Sequence, residues 1–113
     1  MTSSKRVLTA IALAAVCAVG LPAHADQCRL PPATSKIPDG HTSNSQQMVT
    51  AMQTIRQYNS DVQTYLKCLN FEVRQNELSQ SAQVSLHNSA VDQLTRVADA
   101  FNRQVRIFKS THG

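Results

Sequence analysis

Between His41 and His112 the chain contains neither glycine nor proline. Nothing in that stretch breaks a backbone ladder, and its apolar residues recur at helical spacing. Met48, Met52, Ile55, Asn59, Val62, Leu66, Leu69 and Val73 follow one another in alternating steps of 4 and 3. That is a heptad seam with one polar member, Asn59, whose simplest role is to set the register of the pairing. Val84, His87, Val91, Leu94, Ala98, Phe101, Val105 and Phe108 repeat the pattern further along. Between the stripes lies Arg74 to Ser81, whose only apolar residue is Leu78.

Two stripes of matched length, folded back near Asn76 to Leu78, would face one another throughout. The sequence therefore predicts an all-α protein built on an antiparallel two-helix coiled-coil hairpin, with helix 1 over about 44–76 and helix 2 over about 79–110. The competing topology is one unbroken helix. The 11-residue gap from Val73 to Val84 equals a heptad plus a four-residue stutter, and no glycine or proline forces a turn there. At the front of helix 1, Asn44 followed by Gln47 has the form of a capping box, and Ser43 with Gln46 offers the same pattern one residue earlier.

The beginning of the chain has a different character. Lys5 and Arg6 precede an apolar run from Val7 to Leu21, which Pro22 ends just before Ala23-His24-Ala25. As a helix those 15 apolar residues rise about 22 Å, short of the roughly 30 Å hydrocarbon core of a membrane. The pattern is that of a signal peptide over residues 1–25, cleaved before Asp26. Val16 stands where a lipoprotein needs a small residue before its cysteine, so Cys17 is not a lipidation site. The membrane is thus expected to matter only during export, with the periplasm as destination and secretion as the alternative.

Cleavage changes the composition. The 88 residues from Asp26 onward carry nine basic and seven acidic side chains, a net +2, with eleven Gln, nine Ser and six Asn. That balance gives no footprint for nucleic acid. Cys17 leaves with the signal, and Cys28 and Cys68 remain. Two thiols in an exported chain imply one intramolecular disulfide, against which stand a redox pair, a metal site and an intermolecular bridge. No Cys-x-x-Cys or Cys-x-x-Cys-His motif is present. Residues 26–42 contain Pro31, Pro32 and Pro38 and end in the Asp39-Gly40 turn, so they are expected to run back along helix 1 as an extended strap. Sixteen residues of polyproline-like chain reach about 50 Å, enough to bring Cys28 to Cys68. Tyr58, Tyr65 and Cys68 share neighbouring surface of helix 1 against which the strap can pack.

Few residues suggest chemistry. Met48 and Met52, one turn apart, with His41 nearby, form a thioether and imidazole set of the kind that suits copper, although methionines on a seam also fill space. His87 sits on the second stripe without a seam histidine to pair with. Arg96, Arg103, Arg106 and Lys109 form a basic patch suited to an anionic partner, or simply a solvated face that complements the helix dipole. The acidic residues Asp61, Glu72, Glu77, Asp92 and Asp99 are scattered with no inward pairing, so no catalytic residues and no cofactor are expected.

The arrangement Cys28-Arg29-Leu30-Pro31-Pro32, then Ile37-Pro38-Asp39-Gly40, then Tyr58 and Tyr65-Leu66-Lys67-Cys68-Leu69 resembles a group of small exported bacterial proteins. These combine a cysteine- and proline-containing segment ending in Pro-Asp-Gly with a Tyr-Leu-x-Cys-Leu helix. The resemblance covers roughly residues 26 to 70. It implies a Gram-negative envelope protein, supports pairing Cys28 with Cys68, and brings no catalytic residues. The expected function is that of a non-enzymatic interaction module, adaptor or chaperone-like, with an envelope protein partner or a homodimer completing the core. A small periplasmic carrier of copper or of an amphiphile is the alternative.

Overall fold

The computed structural model describes residues 28–34 and 36–113, so the expected signal segment and its cleavage point lie outside the described residues. Two helices account for most of what is described: α1, Ser45–Arg74, and α2, Gln80–His112. They pack against each other as an antiparallel hairpin, and the extended segment from Cys28 to Asp39 crosses their surface as the strap. Neither helix is long and apolar enough to cross a membrane.

Both ends of α1 are closed by side-chain and backbone devices. Asn44 Oδ1 accepts the Gln47 N–H at 2.9 Å while Gln47 Oε1 accepts the Asn44 N–H at 2.8 Å, so of the two candidate boxes this one forms. At the other end Asn76 takes a left-handed backbone with φ of 57°. Its N–H donates to the Val73 carbonyl, and the N–H of Glu77 reaches back to the Glu72 carbonyl. These are the two bonds of a Schellman motif, with asparagine where glycine is commoner. Ser79 then starts α2 by accepting the Ala82 N–H on its hydroxyl. The hairpin thus turns without glycine or proline, and the helix ends fall one to two residues from the sequence expectation.

The core takes in Met48, Val62, Leu66, Leu69 and Phe101 of the predicted seams and forms two clusters. Tyr58, Val62, Tyr65, Leu66, Leu69, Ala90 and Val97 form its larger part, with Cys28, Leu30, Ile37, Leu78 and Leu94 packed around them. Met48, Ala51 and Phe101 form a smaller cluster toward the open end, flanked by Met52, Val105 and Phe108. Ile37 of the strap touches both.

Three expectations about the seams need correcting. Asn59 is exposed and sets no register; Tyr58 occupies the interior beside it. Val84 and Val91 are 51% and 38% exposed, whereas Ala90 is fully buried and Val97 nearly so. The cause is the third layer. A bare pair of helices buries the line pointing straight at its partner. Here the strap covers one flank of the pair, so the buried sector on each helix swings toward the strap by about one position.

Candidate functional site

The strap is stitched to the hairpin by glutamines. Gln93 donates from Nε2 both to the Pro31 carbonyl at 3.1 Å and to the Tyr58 hydroxyl, tying strap, α2 and α1 at one point. Gln104 Oε1 accepts the Gly40 N–H at 2.9 Å. Gln83 joins the two helices by donating to Asn70 Oδ1 at 2.9 Å. An extended strand without a neighbouring strand must find partners for its backbone groups. Two carboxamides on α2, those of Gln93 and Gln104, serve Pro31 and Gly40 in this way without introducing charge.

Gly40 brings the strap closest to α2. A Cβ at this residue would fall on the Gln104 carbonyl oxygen and lie 2.8 Å from the Phe108 nitrogen, so only glycine lets the turn seat against the helix backbone. The turn itself is held by Asp39. Its carboxylate accepts the His41 N–H at 2.8 Å, and its carbonyl accepts the N–H groups of Thr42 and Ser43. The His41 amide and ring, both bonding this carboxylate, hold its pKa below the usual aspartate value.

Cys28 and Cys68 form a disulfide with Cα atoms 5.6 Å apart, within the ordinary range. It fixes the far end of the strap to α1 across a sequence separation of 40. One helical turn beyond Cys68 stands Glu72, only 4% exposed. Its carboxylate and the two sulfur atoms all lie within 4.8 Å of one another. No side-chain or backbone donor among the described residues pairs with that carboxylate. Nearby Tyr65 has its phenol pushed above the ordinary value, chiefly by burial and further by the negative charge of Glu72. In the sequence Glu72 is one of several scattered acids. The spacing Cys68 to Glu72, i to i+4, was the available signal that sulfur and carboxylate share a helix face.

Tyr58 and Tyr65 are buried in the cluster that receives Cys28, Leu30 and Ile37 of the strap. Met48 is buried and Met52 half-buried against Phe101, while His41 is exposed in the Asp39 turn with Nδ1 3.1 Å from Oδ1. The two methionines pack in the smaller cluster, and the imidazole bonds within the turn. His87 is half-buried on α2. Arg96, Arg103, Arg106 and Lys109 are all exposed. At 100° per residue they spread over an arc of about 140°, with Arg96 and Arg103 on one line and Arg106 and Lys109 progressively farther round. Only Arg103 reaches the strap side, where it lines an open groove of about 370 Å³ with Asp39, His41 and Gln104. A second open groove of about 550 Å³ lies between the strap and the first turns of α1.

Among the described residues, the strap leaves the opposite flank of the hairpin uncovered. Val84, Val91, Ala98 and Val105 recur every seven residues and so form one line on α2, turned well over 100° from Gln93, Ala100 and Ile107 on the strap side. On α1 the exposed Asn59 lies between the half-buried Met52 and Val73, while Leu66 belongs to the core. The four residues of that line are uncharged, and Lys109 lies on the same line at its C-terminal end. No family model matches this chain, and neither a curated protein nor a solved structure shows significant similarity to it.

Proposed function

We propose that this chain is an exported, non-enzymatic interaction module of the bacterial cell envelope, working in the periplasm as an adaptor or chaperone-like protein. Its binding surface is the strap-free flank of the hairpin, and its partner is another envelope protein presenting an uncharged apolar helix. The observation that carries this reading is the line through Val84, Val91, Ala98 and Val105, whose first two valines remain 51% and 38% exposed. Exposed apolar side chains aligned at seven-residue intervals match the contact stripe of a third helix. The disulfide is the form two cysteines take in an oxidising compartment, which supports export. Because the strap completes one side of a small core, the partner has only the other side to occupy.

A photo-crosslinking residue placed at Val91, and separately at Arg96 on the solvated face, tests the surface in the native envelope. The expected result is a discrete adduct from position 91, none from position 96, and loss of the adduct in Val84→Asp combined with Val91→Asp while the helical spectrum is kept. Equal labelling from both positions, or an adduct that survives the double substitution, would reject this flank as the binding surface. An adduct with a second copy of the chain would replace the envelope partner with a homodimer.

A further inference from the structure

We propose that, when the Cys28–Cys68 disulfide is open, the two thiolates and the carboxylate of Glu72 form a binding site for a divalent zinc-class metal ion. Three potential donor atoms, two sulfurs and one oxygen, already lie within 4.8 Å of one another. They come from two separate elements, the strap and α1, so an ion held by them clamps the same two elements that the disulfide joins. Cys68 and Glu72 are one helical turn apart, the spacing at which two side chains of one helix chelate a common ion. A thiolate-rich set with one carboxylate suits tetrahedral zinc, with water as the fourth ligand.

The second observation is the state of Glu72 itself. It is 4% exposed and no donor among the described residues pairs with its carboxylate. Burying a carboxylate without a partner is costly, and the usual remedies are a cation, a donor or protonation. In the oxidised protein only the small remaining exposure keeps the group hydrated. That opening is also the path by which an ion enters. No described buried polar side-chain atom is left without a partner once solvent contact is counted, so Glu72 stands at the edge of the core rather than sealed within it.

The chemistry balances in two steps. A phosphine or dithiol reductant delivers two electrons and two protons to the disulfide, breaking the sulfur–sulfur bond and leaving two thiols; a phosphine takes up the oxygen of a water molecule as it does so. The metal ion then displaces one proton from each thiol, and two thiolate–metal bonds form beside the carboxylate–metal bond. Zinc(II) with two thiolates and one carboxylate carries a net charge of −1. Two protons are released per ion bound, so binding strengthens with rising pH. The metal lock and the disulfide lock exclude one another, because the same sulfur electron pairs serve both.

The test uses the purified protein, oxidised and phosphine-reduced, titrated with Co²⁺ as a spectroscopic probe and with Zn²⁺ against a chromophoric chelator. The reduced form is expected to bind one ion with thiolate-to-cobalt charge-transfer absorption and visible bands of a tetrahedral site, and the oxidised form to bind none. Zn²⁺ should raise the melting temperature of the reduced protein and leave that of the oxidised protein unchanged. Glu72→Gln, checked for helical content in its disulfide-bonded form, should weaken Zn²⁺ binding at least about 10–100-fold, the loss typical even of an outer partner of a ligand. Failure of the reduced parent to bind one ion at micromolar concentration would overturn the proposal, as would equal binding by the oxidised form. Unchanged affinity in Glu72→Gln would remove the carboxylate from the site and with it the proposal as stated. If Glu72→Gln is not helical, Cys28→Ser replaces it: its affinity for Zn²⁺ should fall at least about 10-fold and its charge-transfer band weaken, and unchanged affinity would overturn the proposal.

Discussion

At the scale of single residues, the polar side chains decide how closely the strap fits. Gln93 and Gln104 meet backbone groups that no strand is there to pair, and Tyr58 shares its hydroxyl with Gln93. At Tyr65, burial and the neighbouring Glu72 act together on ionisation. The phenol of Tyr65 sits above its usual value of 10.0, first because it is desolvated and second because the Glu72 charge faces it. The folded state therefore holds the Tyr65 proton more tightly than the unfolded chain. This contribution to stability is complete below pH 10 and is lost as pH rises through the folded value, because the unfolded chain releases its proton first. Absorbance at 295 nm should show one tyrosine ionising above pH 10, with the protein loosening over the same interval. In Glu72→Gln that ionisation should move part of the way back toward 10 and remain above it, since desolvation persists. Ionisation of every tyrosine at or below pH 10 in the parent protein would contradict the burial of Tyr65.

At the scale of elements, the helices and most of their facing are legible in the sequence, since Met48, Val62, Leu66, Leu69 and Phe101 of the two stripes are buried. The glycine-free, heptad-patterned stretch specifies two long helices, and Asn44 with Gln47 marks where the first begins. The break between them was ambiguous because Asn76 can continue a helix or stop one; a left-handed asparagine closing a Schellman motif has no periodic signature. Asn59, Val84 and Val91 depart from the stripe facing because heptad spacing describes two helices packing alone, whereas the strap adds a third surface with no apolar period of its own. Leu30 and Ile37 enter the core from extended backbone, and Gly40 admits the turn against α2. Glu72 escaped notice because its burial depends on the strap being in place. The element-level prediction follows from Gly40. Gly40→Ala sets a methyl group against the Gln104 carbonyl oxygen and the Phe108 nitrogen, both backbone atoms that cannot step aside. The strap must lift at that end, and the Gly40–Gln104 hydrogen bond goes with it. A loss of about 1–3 kcal/mol is expected, the usual cost of overpacking a close contact. Chemical denaturation measures it, and amide exchange should localise the loosening to residues 36–43 while the middle of α1 stays protected. A neutral effect would place the turn farther from α2 than the structure has it.

At the scale of the whole molecule, the question is how so few residues hold one structure. Two helices with a narrow shared core are marginal by themselves, and residues 28–40 raise the number of layers from two to three. That third layer has no helix ladder or sheet to hold it, so its attachment is a loop-closure problem. The disulfide spans 40 residues, and in the chain-entropy account a closed loop of that length removes about 4 kcal/mol of unfolded-state freedom. For a domain of this size such a loss corresponds to a fall in melting temperature of about 15–30 °C. The melting temperature of the protein, followed by far-ultraviolet circular dichroism with and without a phosphine reductant in metal-free buffer, measures it directly. The reduced protein should remain helical at low temperature, because α1 and α2 still share Val62, Leu69, Ala90 and Val97. It should also expose Tyr58 and Tyr65 as the strap frays from the Cys28 end, which tyrosine fluorescence quenching reads independently. A reduced protein that melts at the same temperature with its tyrosines still shielded would mean that glutamine bonds and apolar packing hold the strap unaided. A reduced protein without helical structure at any temperature would mean that the hairpin cannot exist without its third layer.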